Sequence, residues 1–264
     1  PGEGWSCDGH EKLKQMGYSI YGIRDVWGKI LAYRLVPNAR NEHIAEYVYL
    51  CAVREAGGVP LTLTADKGTE TGGIYARQVS LRAIFDPTID ATLIPPFVHI
   101  RSVRNITIER SWATFLKKAG RNIQSWWNQG VALSGFVDGD RVHRALADWI
   151  WVPLCENYIA EFVNTYNNHQ VRRQPNKQGP SHASHLYTYS FPEQFGGEDQ
   201  LVRGDMNLID QIMENHQGKA AMEFFPAWFD VVASHVFVLV GQPERSFKTA
   251  WDVFDIMLEP LQYQ

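Results

Sequence analysis

Three acidic residues lie where their carboxylates could act together. Asp8 ends the short run of residues 4–8, and Asp66 ends the β-type segment of residues 60–66. Glu109 lies near the start of a long amphipathic stretch. Two carboxylates at strand ends and one at a helix start could converge on one point, where their oxygens suit hard cations such as Mg²⁺ or Mn²⁺. A pair of such ions supports in-line phosphoryl transfer on a nucleic acid.

Each of these carboxylates also has a structural explanation when it is taken alone. Asp8 suits a turn at a strand end, Asp66 suits a glycine-rich turn, and Glu109 suits the first turn of a helix, where the dipole favours an acid. Unneutralised acids that share a site repel one another, and this repulsion raises their pKa values. The interpretation as a metal site therefore depends on all three occurring together.

Local patterning predicts the elements that must position these residues. Residues 18–36 are rich in β-forming side chains around a turn at residues 25–28, which predicts a β-hairpin. Asp25 is a further acidic candidate, but a turn role explains it better because Asp favours turns. The segments after the hairpin predict a helix over 41–56 capped by Asn41, a strand over 60–66, a helix over 74–85 and a strand over 97–100.

The strongest helical periodicity begins near Ile106. One face of this helix is apolar, with Trp112 on it, and the opposite face is basic. Glu109 falls on the border between the two faces, where a carboxylate could point into a site beside the core. The basic face could follow a phosphate backbone, although a solvated face is the commoner explanation for any one cation. The predicted nucleic-acid contacts are Lys67, Asn105, Arg110, Lys117 and Arg121.

Tryptophan is abundant in the helical part of the chain. Residues 140–169 have a helical pattern, and the Trp pairs at 126–127 and 149–151 are expected to pack between helices. A base-stacking platform is a weaker alternative for these side chains, and a dimer face is a further one.

The chain changes character near residue 180. A polar stretch with Arg172, Arg173 and Lys177 precedes this point, as a linker, a phosphate-contacting arm or both. We expect a catalytic core over residues 1–178 and a helical C-terminal extension over residues 179–264. The helical patterns of the extension lie near residues 205–216, 219–240 and 245–260.

Composition limits the class of protein. A chain of 264 residues, 45% of them apolar, can bury one sizeable core, or a core and an extension. The formal net charge of −4 gives no overall basic signal, so nucleic-acid binding must depend on local patches. The three cysteines are far apart, which favours a reducing intracellular compartment over a disulfide framework.

The sequence has no visible signal peptide or membrane span. Its longest apolar run, residues 231–240, is interrupted by His235 and is too short to cross a bilayer. The chain starts with Pro1 rather than Met, which predicts a piece cut from a longer protein.

Five sequence motifs occur in the order typical of one family. They are Trp5-Ser6-Cys7-Asp8-Gly9-His10-Glu11-Lys12-Leu13, Tyr21-Gly22-Ile23-Arg24-Asp25, Thr64-Ala65-Asp66-Lys67-Gly68-Thr69-Glu70, Arg101-Ser102-Val103-Arg104-Asn105-Ile106-Thr107-Ile108-Glu109-Arg110-Ser111-Trp112 and Phe162-Val163-Asn164-Thr165-Tyr166-Asn167-Asn168-His169. Together they resemble the integrase core family, the retroviral-integrase-like group within the ribonuclease H superfamily. The resemblance is to the eukaryotic, transposon-derived type.

The resemblance implies an α/β, ribonuclease H-like fold, in which helices flank a mixed five-stranded sheet. Asp8 would lie on the central first strand and Asp66 on the neighbouring fourth strand. With Glu109 they would form the family's D,D,E triad and hold two Mg²⁺ or Mn²⁺ ions about 4 Å apart, with Asp8 as the bridging ligand. The implied activity is DNA strand cleavage and strand transfer, carried out by a homo-oligomer in the nucleus.

A second class of function stays open from the sequence. The chain could be a domesticated, non-cutting DNA-binding or protein-assembly module on the same fold, and its near-neutral charge and helical extension are compatible with that. Mn²⁺-dependent nicking or strand transfer that is lost in Asp66→Asn would distinguish the enzyme from the module.

Overall fold

The computed structural model describes residues 1–100, 105–174 and 179–262 of the chain. Two sequence-based expectations lie partly outside the described residues. They are the start of the motif over 101–112 and the contribution of Lys177 to the polar stretch.

A mixed five-stranded sheet forms the centre of the fold. Its strands are β1 (Gly4–His10), β2 (Ser19–Asp25), β3 (Ile30–Val36), β5 (Thr62–Ala65) and β6 (Phe97–His99), while β4 (Gly58–Val59) pairs with β7 (Val202–Arg203) in a second, small sheet. The strand order is β3-β2-β1-β5-β6. The β1–β2 and β2–β3 pairs are antiparallel, and the β1–β5 and β5–β6 pairs are parallel. The predicted sheet is therefore confirmed, with Asp8 on its central strand.

The hairpin predicted over residues 18–36 is formed by β2 and β3. Its turn is closed by the Gly28 N–H, which donates to the Asp25 carbonyl oxygen at 2.9 Å. The Asp25 carboxylate accepts from the Trp27 N–H at 2.7 Å and is buried. The turn role that the sequence favoured for Asp25 is therefore confirmed.

Ten α-helices are described around the two sheets. They are α1 (Glu42–Ala56), α2 (Thr71–Phe85), α3 (Ile106–Phe115), α4 (Arg121–Val131), α5 (Arg141–Asn168), α6 (His185–Ser190), α7 (Met206–Glu214), α8 (Gln217–Ala221), α9 (Ala227–Leu239) and α10 (Ala250–Gln262). A π-helical segment, Leu116–Gly120, joins α3 to α4. No helix in the described parts of the chain combines the length and the apolar character needed to cross a membrane.

The helix predicted to start at residue 41 shows how local residues fix an element. The Asn41 side chain accepts from the His43 N–H at 3.0 Å and caps the first turn of α1. Gly57 ends the helix with a φ of 76°, a left-handed conformation that glycine adopts without strain.

The helix predicted over residues 219–240 is divided in two. α8 ends at Ala221, and α9 begins directly after Pro226. Pro226 has no N–H to donate, and its ring obstructs the helical turn before it. The apolar pattern therefore continues although the helix is interrupted.

Alternating side chains of the sheet enter two apolar clusters. Ile20 and Leu35 pack in the first cluster with α3, α4, α5, α9 and α10. Tyr21 and Ile23 pack in the second cluster with α1 and α2. Because successive strand residues point to opposite faces, the central sheet separates the two clusters.

The tryptophans of α4 and α5 lie in the first cluster. Trp127 packs against Trp151 and Trp251 with ring centroids 5.0 Å and 4.8 Å apart. Trp127, Trp149 and Trp151 are all at most 5% exposed, which confirms their expected packing between helices. These three side chains therefore provide neither an exposed stacking platform nor a dimer face.

The C-terminal elements pack directly on the core. α9 and α10 contribute side chains such as Phe229 and Phe254 to the first cluster, and β7 pairs with β4 through Val202 and Val59. The division of the chain at residue 178 into two domains stays a prediction.

Candidate functional site

Asp8 lies near the end of β1, and Asp66 directly follows the neighbouring parallel strand β5. In the β1–β5 pair, Ser6 is opposite Thr64. Two residues further along each chain come Asp8, still on β1, and Asp66, which directly follows β5. The carboxyl ends of two neighbouring strands therefore bring together two carboxylates that are far apart in the sequence.

The Asp8 carboxyl is half-buried and has a defined hydrogen-bond partner. Its Oδ2 atom accepts from the Trp112 indole N–H at 3.0 Å. The pKa of Asp8 is raised to about 7, mainly by burial; the bond from Trp112 opposes the rise, and the negative charges of Asp66 and Glu109 add to it. All three predicted carboxylates therefore interact electrostatically at Asp8.

Glu109 reaches this region from the first turn of α3, where its side chain is exposed. The start of α3 is fixed to the sheet by polar contacts. Asn105, just before the helix, accepts from the Ser6 hydroxyl at 2.6 Å, and the Arg24 guanidinium donates to the Thr107 carbonyl oxygen. The exposed Glu109 carboxylate thus lies on a helix whose N-terminus is held against β1 and β2.

The three carboxylates do not form a closed ligand set. Within the described residues, no three His, Cys, Asp or Glu side chains are placed to hold a metal ion together. The strands fix the positions of Asp8 and Asp66, whereas Glu109 projects from an exposed helical position. The geometry is a cluster of interacting charges around Asp8.

Four of the five predicted nucleic-acid contacts are exposed side chains. Lys67 directly follows Asp66, while Arg110, Lys117 and Arg121 lie along the helical stretch from α3 into α4. In the part of the chain that the structure describes, none of the four forms an ion pair within 4.0 Å. Their charges are available to a partner.

Asn105 has a different role from the predicted one. It is 3% exposed, and its amide nitrogen donates to the Cys7 carbonyl oxygen at 3.4 Å while its oxygen accepts from Ser6. The Asn105 side chain thereby satisfies buried polar groups of β1. The Asn105 side chain is therefore committed to the protein interior, and DNA contact is not proposed for it.

A stack of three rings supports the site, and sequence reasoning missed its role. Trp112 lies between His10 and Tyr33, with ring centroids 4.6 Å and 4.2 Å away. The periodicity assigned Trp112 only to the apolar stripe. Its position three residues after Glu109 was the available signal, because residues three apart lie on one side of a helix.

The comparisons with known proteins identify the type of domain through a family model. The family model for the integrase core domain matches residues 1–194. Among solved structures, the HTLV-2 integrase catalytic core domain in complex with magnesium (trimeric form) is similar, at 15% sequence identity and a TM-score of 0.40. The similarity covers 71% of this chain and 95% of that chain. A comparison with curated proteins gave no match.

Proposed function

Because the chain belongs to the integrase core domain family, we propose that it is a divalent-metal-dependent polynucleotidyl transferase that cuts and joins DNA strands. Asp8, Asp66 and Glu109 are the proposed catalytic carboxylates. The observation that carries the proposal is the position of Asp8 on β1, beside the strand β5 that Asp66 directly follows, with its carboxylate bonded to Trp112 of the helix that carries Glu109.

The donor atoms of the three residues suit Mg²⁺ or Mn²⁺ in their chemistry. All three donors are carboxylates, whose hard oxygens these ions prefer. Burial and the neighbouring negative charges make it unfavourable to ionise Asp8, and the charge of a bound cation would offset this effect. Asp8, Asp66 and Glu109 would hold the ions, with Asp8 as the proposed shared ligand. Such ions would supply activation of water or of a DNA 3′-hydroxyl and stabilisation of the leaving oxygen.

The protein's own contribution is to position these groups before substrate binds. β1 and β5 fix the backbones that carry Asp8 and Asp66, and Trp112 orients the Asp8 carboxylate. Glu109 has an exposed side chain that can turn toward the two aspartates. Placing reacting groups in advance lowers the entropic part of the activation barrier.

The function is tested by Mn²⁺-dependent nicking and strand transfer on labelled DNA duplexes. Asp66→Asn should lower the rate by more than about 100-fold, because it removes a metal ligand without changing side-chain size. Glu161→Gln, at an exposed position of α5, is the matched control and should keep the parent's rate. An Asp66→Asn variant as active as the parent would reject the assignment.

The exposed cations from Arg110 to Arg121 are the proposed DNA backbone contacts, together with Lys67. Replacing Arg110, Lys117 or Arg121 singly by glutamine should weaken binding to every duplex sequence alike. Each replacement should also reduce the slope of log affinity against log salt by about 1, because one phosphate contact releases about one counterion. Fluorescence anisotropy at several salt concentrations measures both effects.

The control for these variants is Arg54→Gln. Arg54 is exposed on α1 and pairs with Asp210, away from the proposed DNA-binding residues in sequence. Its replacement should leave the salt slope unchanged. If the salt slope is also unchanged in the Arg110, Lys117 and Arg121 variants, DNA binds on another surface of the protein.

The second candidate function is a domesticated module that binds DNA without cutting it. The observation that favours it is the lack of a closed three-residue ligand set among the described residues. In this case neither the parent nor Asp66→Asn would nick DNA, and both would bind it equally well in the presence of EDTA.

We also propose that the chain forms a homo-oligomer and is located in the nucleus. Multiangle light scattering on the purified chain tests for a homo-oligomer, and a monomer at all concentrations would reject it. Imaging of a fluorescent fusion tests the location, and exclusion from the nucleus would reject that part.

A further inference from the structure

Three aromatic rings form a partly exposed platform at the edge of the five-stranded sheet. Phe97 and His99 lie on the edge strand β6, and Tyr75 lies on α2. We propose that this platform binds an unpaired base of the DNA, so that the protein prefers duplexes with a frayed or single-stranded end. This inference rests on the proposed function, because it concerns the form of DNA that the same protein would cut and join.

The strand and the helix bring the three rings together. Phe97 and His99 are two residues apart on β6, so their side chains point to one face of the sheet, the face on which α2 packs. The Tyr75 ring centroid lies 5.4 Å from that of Phe97, edge to face. It lies 6.1 Å from that of His99, at an interplanar angle of 23°. The Phe97 and His99 centroids are 4.9 Å apart, so each ring contacts the other two.

The three rings differ in how far they are buried. Phe97 is 8% exposed and belongs to the second apolar cluster. Tyr75 is 48% exposed, and His99 is exposed as well. The inner ring is therefore fixed by the core, while two outer rings leave aromatic surface in water that a flat ligand could cover.

The platform is bonded to the strand end that carries Asp66. The carbonyl oxygen of Asp66 can only accept, so the His99 Nδ1–H donates to it, with 3.3 Å between the two atoms. Lys67 is the next residue and is exposed, and within the described ranges it has no ion pair closer than 4.0 Å. A cation that can bind a phosphate thus lies next to rings that can stack on a base of the same strand.

This combination of groups favours an unpaired base as the ligand. Inside a duplex each base is stacked between its neighbours and has no free face for a protein ring. A base that has left the duplex can stack on an aromatic side chain instead, which offsets part of the stacking that it lost. Such contacts tolerate any sequence, because every base has a π face. The platform should therefore recognise the unpaired state of a nucleotide and not its identity.

The test compares the affinity for a blunt duplex with that for the same duplex carrying a forked end of unpaired thymines. Fluorescence anisotropy in EDTA measures both affinities, so the result depends on neither metal binding nor activity. The parent should bind the forked duplex more tightly. Tyr75→Leu should lower the ratio of forked to blunt affinity by about fivefold or more, because it removes one stacking face. Tyr75→Phe keeps a ring and should retain the parent's ratio.

The matched control is Tyr187→Leu. Tyr187 is 44% exposed on α6, and its ring centroid lies 5.0 Å from that of Phe191, so it also belongs to an exposed aromatic group. His185 of the same helix lies against Gly28 in the β2–β3 turn, at the opposite end of β1 from Asp8. The control should keep the parent's ratio of affinities. An equal fall in both leucine variants would overturn the inference.

Photo-crosslinking of the parent gives a second readout that needs no substitution. Iodouracil replaces the unpaired thymines of the forked duplex, the complex is irradiated, and mass spectrometry identifies the modified peptides. The cross-links should map to Tyr75 or His99. Cross-links confined to other residues would mean that the unpaired bases bind elsewhere, and the inference would be wrong.

The outcomes separate this inference from the proposed function. If the parent binds the two duplexes equally, or if Tyr75→Leu keeps the parent's ratio, the rings only pack the sheet edge and the inference is rejected. The proposed activity would still stand if the parent nicks DNA and Asp66→Asn does not. If the parent binds neither duplex, DNA is rejected as the substrate, and the inference with it.

Discussion

Burial favours the protonated form of the Asp8 carboxyl, whereas the proposed metal binding requires the ionised form. The apolar surroundings and the neighbouring charges of Asp66 and Glu109 raise its pKa to about 7, so the metal-free protein favours the protonated form below that pH. A metal ligand must be ionised, and cation binding is therefore linked to release of a proton. Metal affinity should increase as the pH rises toward and through 7.

The same pKa shift predicts how stability depends on pH. The folded-state pKa of Asp8, about 7, lies above the ordinary value of 3.8, so the folded state binds more protons between these limits. Its contribution to the free energy of unfolding is largest below pH 4 and is lost as the pH rises toward and through 7. Asp8→Asn keeps an acceptor for Trp112 and cannot ionise. It should exceed the parent's stability at pH 8 in EDTA by about 2 kcal/mol or more, and match it at pH 4.

Urea denaturation across pH 4 to 8 gives the difference between the variant and the parent at each pH. A constant difference for Asp8→Asn would mean that the Asp8 carboxyl titrates normally in the folded protein.

Among the elements, α3 connects the site to the sheet. Glu109 and Trp112 lie on this helix, and Asn105 and Thr107 hold its start against β1 and β2. The π-helical segment follows immediately, and such widened turns often occur near functional sites. The position of α3 relative to β1 therefore sets the relation between the three carboxylates.

Gly22→Ala tests this dependence on the packing of α3. The added methyl group would lie 2.6 Å from Trp112 and 2.9 Å from the Tyr33 ring, in a stack with little freedom to shift. We expect the free energy of unfolding to fall by about 1–3 kcal/mol, as is usual for an overpacked core. Urea denaturation measures the loss.

The control for Gly22→Ala is Gly72→Ala. Gly72 lies in the first turn of α2, and its added methyl group would come no closer than 3.5 Å to another side chain. Alanine there should stabilise the protein by about 0.5–1 kcal/mol, because it restricts the unfolded chain. Equal effects of the two substitutions would show that the ring stack adapts freely.

Local patterns predicted the elements well because their signals are short-range. The β-forming residues of the hairpin, the Asn41 cap and the apolar stripe that contains Ile108 and Phe115 are each readable within one segment. The bond from Trp112 to Asp8 joins residues 104 positions apart, and no pattern within one segment contains it. The sequence could therefore identify the candidate carboxylates but not the group that orients one of them.

At the scale of the whole molecule, composition could not predict how closely the C-terminal elements join the core. The apolar faces of α9 and α10 looked sufficient for a separate small unit. In the structure they fill the first cluster, and Trp251 both packs on Trp127 and donates its indole N–H to the Trp127 carbonyl oxygen at 3.0 Å. Helical periodicity shows that a face is apolar without identifying the surface that it meets.

Trp251→Ala tests whether the two proposed domains fold as one. Trp251 is 7% exposed, and its ring lies among Trp127, Trp151 and Phe254. Removing it should cost about 3–5 kcal/mol and lower the midpoint of a single thermal transition. Trp228→Ala is the matched control, since Trp228 is 64% exposed on α9 and its loss should change stability by less than about 1 kcal/mol. If calorimetry of Trp251→Ala instead shows a new early transition and an unshifted main one, the C-terminal extension folds independently of the catalytic core.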